Sequence, residues 1–317
     1  MLNSAQRILH APPSANFTDR VYYAWFLGTS VCLAVRPHRV EHAWLLVGIN
    51  LVACLLISGL QHLAPRSVVW QFLHDWYPLP AFIVCFEEVS RLSFLFRDGW
   101  QDHYLLAFEA KLFATPPTVW LGQHGSPWIT ELVEAGYFSY FVLTMIVGGR
   151  FYATKHFRAF RQVIDATVFS YLLCYLFFLA FPTEGPAHTL AGLHNFPIPG
   201  GGPFHWMVRL IQKNAGVHGN AFPSVHVAGA TVALFFAWRY APKLGAVLTP
   251  LVILLCVGAV YDRYHYVSDV VAGAGFGLVP AWMVSRGWVG TRWKADLPGS
   301  EPAHSRVSSA ERYTQTP

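Results

Sequence analysis

Charge is what this chain of 317 residues has least of. Asp, Glu, Lys and Arg make up 12% of it, about half the share of a soluble globular domain. So little charge cannot cover a surface that faces water. With 54% hydrophobic residues and a mean hydropathy of +0.36, lipid is the solvent the composition suits. Cysteine is scarce too. Cys32, Cys54, Cys85, Cys174 and Cys256 all lie in apolar stretches, where a thiol behaves as a small apolar side chain. Neither a disulfide framework nor a metal cluster is expected from them. The Gly-x-Ser-x-Gly elbow of serine hydrolases is absent, as is any evident internal repeat. Residues 1–19 are polar and mixed, without the apolar core of a cleavable signal, so the first apolar run is expected to act as an uncleaved anchor.

What is present is a series of long apolar runs. A helix needs roughly 20 residues to cross the hydrocarbon core. Eight stretches approach that length: 21–35, 43–60, 80–96, 133–148, 163–181, 225–238, 245–261 and 267–284. The third is the weakest, because it holds Glu87, Glu88 and Arg91. Their spacing allows pairing on one helix face turned into the bundle. Eight crossings put both termini on one side. Fourteen of the 22 Lys and Arg residues then fall on that side, Arg150, Lys155, Arg158 and Arg161 among them. Excess positive charge marks the cytoplasmic side, so the termini are expected in the cytoplasm. The net charge of +5 then needs no nucleic-acid partner. Anionic headgroups holding a cytoplasmic loop account for the cluster at 150–161.

The expected fold class is all-α, a polytopic membrane helix bundle. It divides into a tail over 1–20, N-terminal spans over 21–96, an interfacial segment over 97–130, a transmembrane core over 131–286 and a tail over 287–317. The tails are expected to be disordered. The segment 97–130 carries Trp100, Trp120 and Trp128 with Pro116, Pro117 and Pro127, a composition suited to the membrane interface. The loop 182–222 has Gly200-Gly201-Gly202-Pro203 in its middle. Loops of that length are usually functional or disordered. It is expected to be a lid, with one amphipathic turn over 206–212.

Two short strings put polar side chains at the edges of these runs, where uncompensated polarity is costly. They are Ala221-Phe222-Pro223-Ser224-Val225-His226 and Tyr264-His265-Tyr266-Val267-Ser268-Asp269. The crossing count puts both on the extracytoplasmic face. His265 and Asp269 are four apart, the spacing of one helix face. A carboxylate beside an imidazole fixes its tautomer and supports a positive or covalently modified ring. His226 follows Pro223-Ser224, a combination suited to a helix start. Free N–H groups there favour a phosphate, and a histidine there can protonate a leaving oxygen. Arg263 could clamp phosphoryl oxygens. Arg209 and Lys213, on the outer loop, are further candidate phosphate-binding cations. These residue types point to phosphoryl transfer through a histidine. Three other readings stay open: interfacial histidines that only hydrogen-bond, a metal held by His226, His265 and Asp269, and a Ser224 nucleophile with a histidine base.

Phe222-Pro223-Ser224-Val225-His226-Val227 resembles the second signature of the type 2 phosphatidic acid phosphatase superfamily. The stretch from Tyr261 to Val270, Tyr-Asp-Arg-Tyr-His-Tyr-Val-Ser-Asp-Val, resembles the third. The similarity is greatest to the branch of inositol phosphorylceramide synthases and sphingomyelin synthase-like transferases. Phe181-Pro182-Thr183-Glu184-Gly185-Pro186 stands where that branch has a Pro and Gly-Pro-Arg-like stretch. The resemblance implies a six-helix phosphatase-type catalytic core with about two extra N-terminal spans. It implies His265 as the nucleophile that forms a phosphohistidine, Asp269 as its orienting carboxylate, His226 as general acid, and Ser224 with Arg263 at the phosphate. No metal or cofactor is required. The implied substrate is a lipid phosphate or phospholipid at the outer face. Water as acceptor makes a phosphatase, and an alcohol makes a transferase such as a phosphosphingolipid synthase. An inactive lipid-binding membrane protein of the same fold is the alternative from another class. Three positions depart from the family pattern. Gly258 and Ala259 replace a Ser-Arg pair, the first-signature Lys and Arg are not recognisable, and Ala187 follows Pro186 where the branch has arginine. Arg263 substitutes for the missing cations in this reading.

Overall fold

The computed structural model describes residues 16–215 and 219–291, and among these there are helices and turns but no strand. Apart from single turns, the helices are α1 (Phe17–Val35), α2 (Ala43–Leu63), α3 (Val68–Trp76), α4 (Pro78–Arg91), α5 (Asp102–Glu109), α6 (Pro117–Gln123), α7 (Pro127–Ala153), α8 (Phe157–Ala180), α9 (Pro203–Ala215), α10 (Val225–Tyr240), α11 (Pro242–Tyr261) and α12 (Val267–Ser285). Five of them open on proline, which suits a first turn where the N–H has no partner to lose. The start of α1 is a reciprocal capping box. Asn16 accepts from the Asp19 N–H at 2.9 Å, and Asp19 accepts from the Asn16 N–H at 3.1 Å. The expected tails lie mostly outside the described residues.

Five helices are long and apolar enough to cross a membrane: Ala43–Arg66, Pro127–Ala153, Phe157–Ala180, Pro242–Tyr261 and Val267–Ser285. The chain is therefore a multi-pass membrane protein with an all-helical fold. Three of the eight expected spans differ from this set. α1 carries Asp19 and Arg20 in its first turn, and α10 has only 16 residues. The expected span 80–96 is instead a 14-residue helix, α4, preceded by the separate α3. Pro78 and Pro80 interrupt the backbone ladder there, and the helix stops at Arg91. The expected inward face of Glu87, Glu88 and Arg91 is also corrected. Glu88 alone is buried, accepting from Asn50 Nδ2 at 2.6 Å and Trp25 Nε1 at 2.8 Å, while Glu87 and Arg91 are exposed.

α8 is the centre of the bundle. Buried inside the protein is 72% of its most apolar 18-residue stretch, against 22% for α2 at the periphery. Phe160, Val163, Ile164, Tyr175 and Phe178 of α8 pack among α1, α4, α7, α10 and α12. Lipid offers no hydrophobic drive for helix association, so close backbone approach has to supply it. Glycines permit that approach at two seams. A Cβ on Gly136 or Gly258 of α7 and α11 would strike Leu254 or the Val133 carbonyl. A Cβ on Gly273 or Gly277 of α12 would strike the carbonyls of Ser224 or Ala228. The second seam sets α12 against the start of α10.

The two ends of the bundle are chemically different. At one end, Asp75 pairs with Arg161, Asp19 accepts from Tyr77, and Asp165 accepts from Thr18 and the Thr291 N–H, each at 2.7 Å. These buried carboxylates tie α1, α3, α4 and α8 together. The other end holds the starts of α10 and α12.

The α10–α12 seam yields a stability contrast. Gly273→Ala should overpack the Ser224 carbonyl and cost about 1–3 kcal/mol. Gly48→Ala in α2, with nothing within 4 Å of its Cβ, should stay within about 1 kcal/mol of wild type. Thermal unfolding in one detergent checks both. Equal melting temperatures for the two variants would contradict the close-approach argument.

Candidate active site

The site is assembled by caps. Ser224 opens α10, its Oγ accepting from the Val227 N–H at 3.4 Å. This places His226 in the first turn, as expected. Tyr266 opens α12, and its N–H donates to Asp269 Oδ2 at 2.8 Å. His265 therefore precedes the helix, a correction to its expected place on a helix face with Asp269. The two still meet, because the cap folds the Asp269 carboxylate back. Nδ1 of His265 lies 3.4 Å from Asp269 Oδ2 and 2.9 Å from the Ala221 carbonyl oxygen. The Ser224 N–H donates to the Asp269 carbonyl at 3.0 Å, which couples the two helix starts directly. His265 is 4% exposed, and Ser224 and Asp269 are fully buried.

Both neighbours of His265 Nδ1 are acceptors. Nδ1 therefore carries the hydrogen, and Nε2 carries the lone pair in the neutral ring. That Nε2 lies 3.4 Å from Nδ1 of His226. On its far side, His226 Nε2 meets the Tyr137 hydroxyl at 3.1 Å. The Tyr140 ring packs 4.5 Å from the His226 ring, centroid to centroid.

The surrounding loops hold this arrangement in place. Asp102 of α5 accepts from the N–H groups of Glu184 and Gly185, at 2.7 and 2.8 Å, and from the Tyr266 hydroxyl at 3.0 Å. Glu109, two turns on, accepts from the Ser268 N–H at 2.7 Å and its hydroxyl at 3.0 Å. Thr183 Oγ1 accepts from the Phe222 N–H at 2.8 Å, which positions Ala221 and its carbonyl. Gly185 has φ +98, and a Cβ there would crowd Ala221 and the Tyr264 carbonyl. That left-handed backbone favours glycine.

The candidate cations sit apart from the histidine pair. Arg263 has φ +66, uncommon for a non-glycine residue. Its guanidinium donates to the Phe196 carbonyl at 2.8 Å and stacks 4.8 Å over the Phe196 ring. Among the described residues, none of its hydrogen bonds goes to a histidine of the pair. Arg209 is exposed on α9 and acts electrostatically on Glu134, Asp262 and Arg263. Lys213 is exposed one turn further along. The expected turn at 206–212 is part of a longer helix, α9, over Pro203–Ala215. Glu131 accepts from the Phe204 and His205 N–H groups at 3.0 and 3.1 Å, and the His205 ring lies 3.0 Å from both Glu134 oxygens. The long loop is thereby tied to α7.

Burial and neighbouring charge perturb two groups near Arg263. Burial and the neighbouring Glu134 carboxylate push the Asp262 carboxyl well above its ordinary range. Burial and the Arg263 guanidinium push the His194 imidazole down to about 4. Among the described residues, no group of three or more His, Cys, Asp or Glu side chains could hold a metal ion.

The PAP2 superfamily matches residues 103–283, more than half of the chain, and the chain belongs to it. No curated protein and no solved structure matches the chain. The matched stretch contains every candidate site residue and leaves α1 to α4 ahead of it. Membership and the apolar helices together fit a membrane protein of the lipid-phosphatase type.

Sequence reasoning missed Tyr137, Tyr140, Glu134, Asp102 and Glu109. Glu134 and Tyr137 are three apart on one face of an apolar run, which was a usable signal. Asp102 and Glu109 share a face of α5, but their partners lie more than 80 residues away.

The Asp262 shift has a sign. A carboxyl harder to ionise folded than unfolded loses stabilising effect as pH rises past its ordinary value of 3.8. Asp262→Asn removes that dependence. Its melting temperature relative to wild type should rise steadily from about pH 4 to about pH 8. A flat or falling difference would contradict the assignment.

Proposed function

We propose that the protein is a membrane lipid phosphatase or phosphotransferase that works through a phosphohistidine on His265. The observation that carries this reading is the pair of acceptors on His265 Nδ1, which leaves Nε2 as the lone-pair nitrogen beside His226. Nε2 attacks phosphorus as the bond to the lipid alcohol breaks. His226 Nδ1 gives its proton to the leaving oxygen. Asp269 offsets the positive charge gained by the modified imidazole. In the second half, water or an alcohol attacks phosphorus, loses its proton to His226, and frees His265.

The phosphate would rest on the start of α10. The N–H groups of its first residues have no intrahelical partner, and the helix dipole favours an anion there. Ser224 secures that start through its cap and its N–H bond to Asp269. Arg263, Arg209 and Lys213 supply positive charge from the same face. The concentration of Lys and Arg at the opposite end supports an extracytoplasmic site with cytoplasmic termini. No metal enters this mechanism.

A second reading within the family is a phosphosphingolipid synthase-like transferase, of the inositol phosphorylceramide type. The observation that favours it is Gly258-Ala259 where the phosphatase branch has Ser-Arg. Labelled phospholipid supplied with and without an acceptor lipid distinguishes the two, since hydrolysis yields free phosphate or a phospho-headgroup and transfer yields a new lipid.

His265→Ala and His226→Ala are each expected to lose about 10²-fold or more in turnover of lipid phosphates. Chelator should leave wild-type turnover unchanged. Undiminished turnover in both variants would sink the mechanism and favour a binding role. Loss on chelation would favour a metal at the histidines.

A further inference from the structure

Tyr137 touches the histidine pair from a helix outside both signature strings. It lies in α7 and is 2% exposed. Its ring packs on the His226 ring at 5.1 Å and the Tyr264 ring at 5.0 Å. The close α7–α11 seam holds it there, since Gly258 leaves room for the Val133 carbonyl and the Tyr137 Cβ. Its hydroxyl is aimed at His226 Nε2 at 3.1 Å, while His226 Nδ1 faces His265. The groups facing His226 are Tyr137 and Tyr140 from α7 and His265 from the loop before α12. Of these, the Tyr140 hydroxyl is directed to Tyr171.

We propose that Tyr137 is a positioning residue, which ties down Nε2 of His226 and so dedicates Nδ1 to proton transfer. This rests on the reading of His226 as the acid. In the acid form, both nitrogens of His226 carry hydrogens. Nε2–H donates to the Tyr137 oxygen, and Nδ1–H points to the reacting side. As the bond from phosphorus to the leaving oxygen breaks and the bond to His265 Nε2 forms, the Nδ1 proton passes to that oxygen. His226 is then neutral, with Nε2–H still held by Tyr137 and the Nδ1 lone pair free. When water or an alcohol attacks phosphorus, that lone pair takes its proton and the bond to His265 breaks. One nitrogen serves both halves, so the ring does not have to turn over. A hydroxyl suits this role because it can accept from Nε2–H and also donate to a bare Nε2.

Tyr137→Phe keeps the ring and its packing and deletes only the hydroxyl. The control is Tyr22→Phe in α1, which also loses a buried hydroxyl bond, to the Pro78 carbonyl at 2.6 Å, outside the matched segment. The assay is phosphate release from short-chain phosphatidic acid in detergent micelles, with phosphohistidine formation followed in parallel. Tyr137→Phe is expected to lower kcat about 10- to 100-fold, part of the 10²–10⁴ that acid–base catalysis contributes, with KM within about threefold. Tyr22→Phe is expected to keep kcat within about twofold. In a His226→Ala background, Tyr137→Phe should add no further loss, because it acts through His226. Wild-type kcat in Tyr137→Phe, a loss confined to KM, or an additive loss in the double variant would overturn the proposal while leaving the phosphohistidine reading intact. A wild type that forms no phosphohistidine and releases no phosphate would overturn both.

Discussion

The close approach of α12 to the start of α10 is the contact on which everything at the site depends. Gly273 has no side chain, so the Ser224 carbonyl can lie against the backbone of α12. That contact lets the Ser224 N–H reach the Asp269 carbonyl. The two helix starts are then joined by a hydrogen bond rather than only by packing. His226 on one and His265 ahead of the other come within 3.4 Å through this joint. In lipid, where hydrocarbon gains little from leaving solvent, such backbone proximity is the available source of specificity.

Around this joint the protein spends its few charges on backbone donors. Asp102, Glu109 and Glu131 each accept from N–H groups in a loop or at a helix start. Asp269 does the same for Tyr266. Each carboxylate thus fixes the path of a segment that regular secondary structure does not hold. The result is a set of loops tied by side-chain bonds at the end that holds the histidine pair. The other end uses buried carboxylates differently, pairing Asp75 with Arg161 and Asp165 with Thr18 to bind helices together.

Much of this was legible in the sequence, and the limits are physical. Low charge and long apolar runs announced an all-helical membrane bundle, because lipid leaves few alternatives for the backbone. His226, His265 and Asp269 stood out because polar groups at the edge of apolar runs are costly. Pro223-Ser224 marked the start of α10 through cap chemistry. The approach of His265 to Asp269 was anticipated for the wrong local reason, since the spacing fits a helix face and a capping box equally. The third span failed because its helix, Pro78–Arg91, ends after 14 residues, at a charged residue that falls inside the expected stretch. Arg263 was expected beside the phosphate from its nearness to His265 in the chain. Its backbone has a positive φ and its guanidinium donates to the Phe196 carbonyl, a long-range partner that residue spacing does not reveal. The partners of Asp102, Glu109 and Tyr137 are long-range and were hidden for the same reason.

The central claim is that His265, through Nε2, carries the phosphoryl group. The most direct measurement is to quench the enzyme during turnover of a phosphorus-labelled lipid phosphate and map the label on its peptides. The account predicts an acid-labile, base-stable label on His265, bonded at Nε2 and absent from His265→Ala. Turnover without any such label, or an acid-stable label on Ser224, would contradict it.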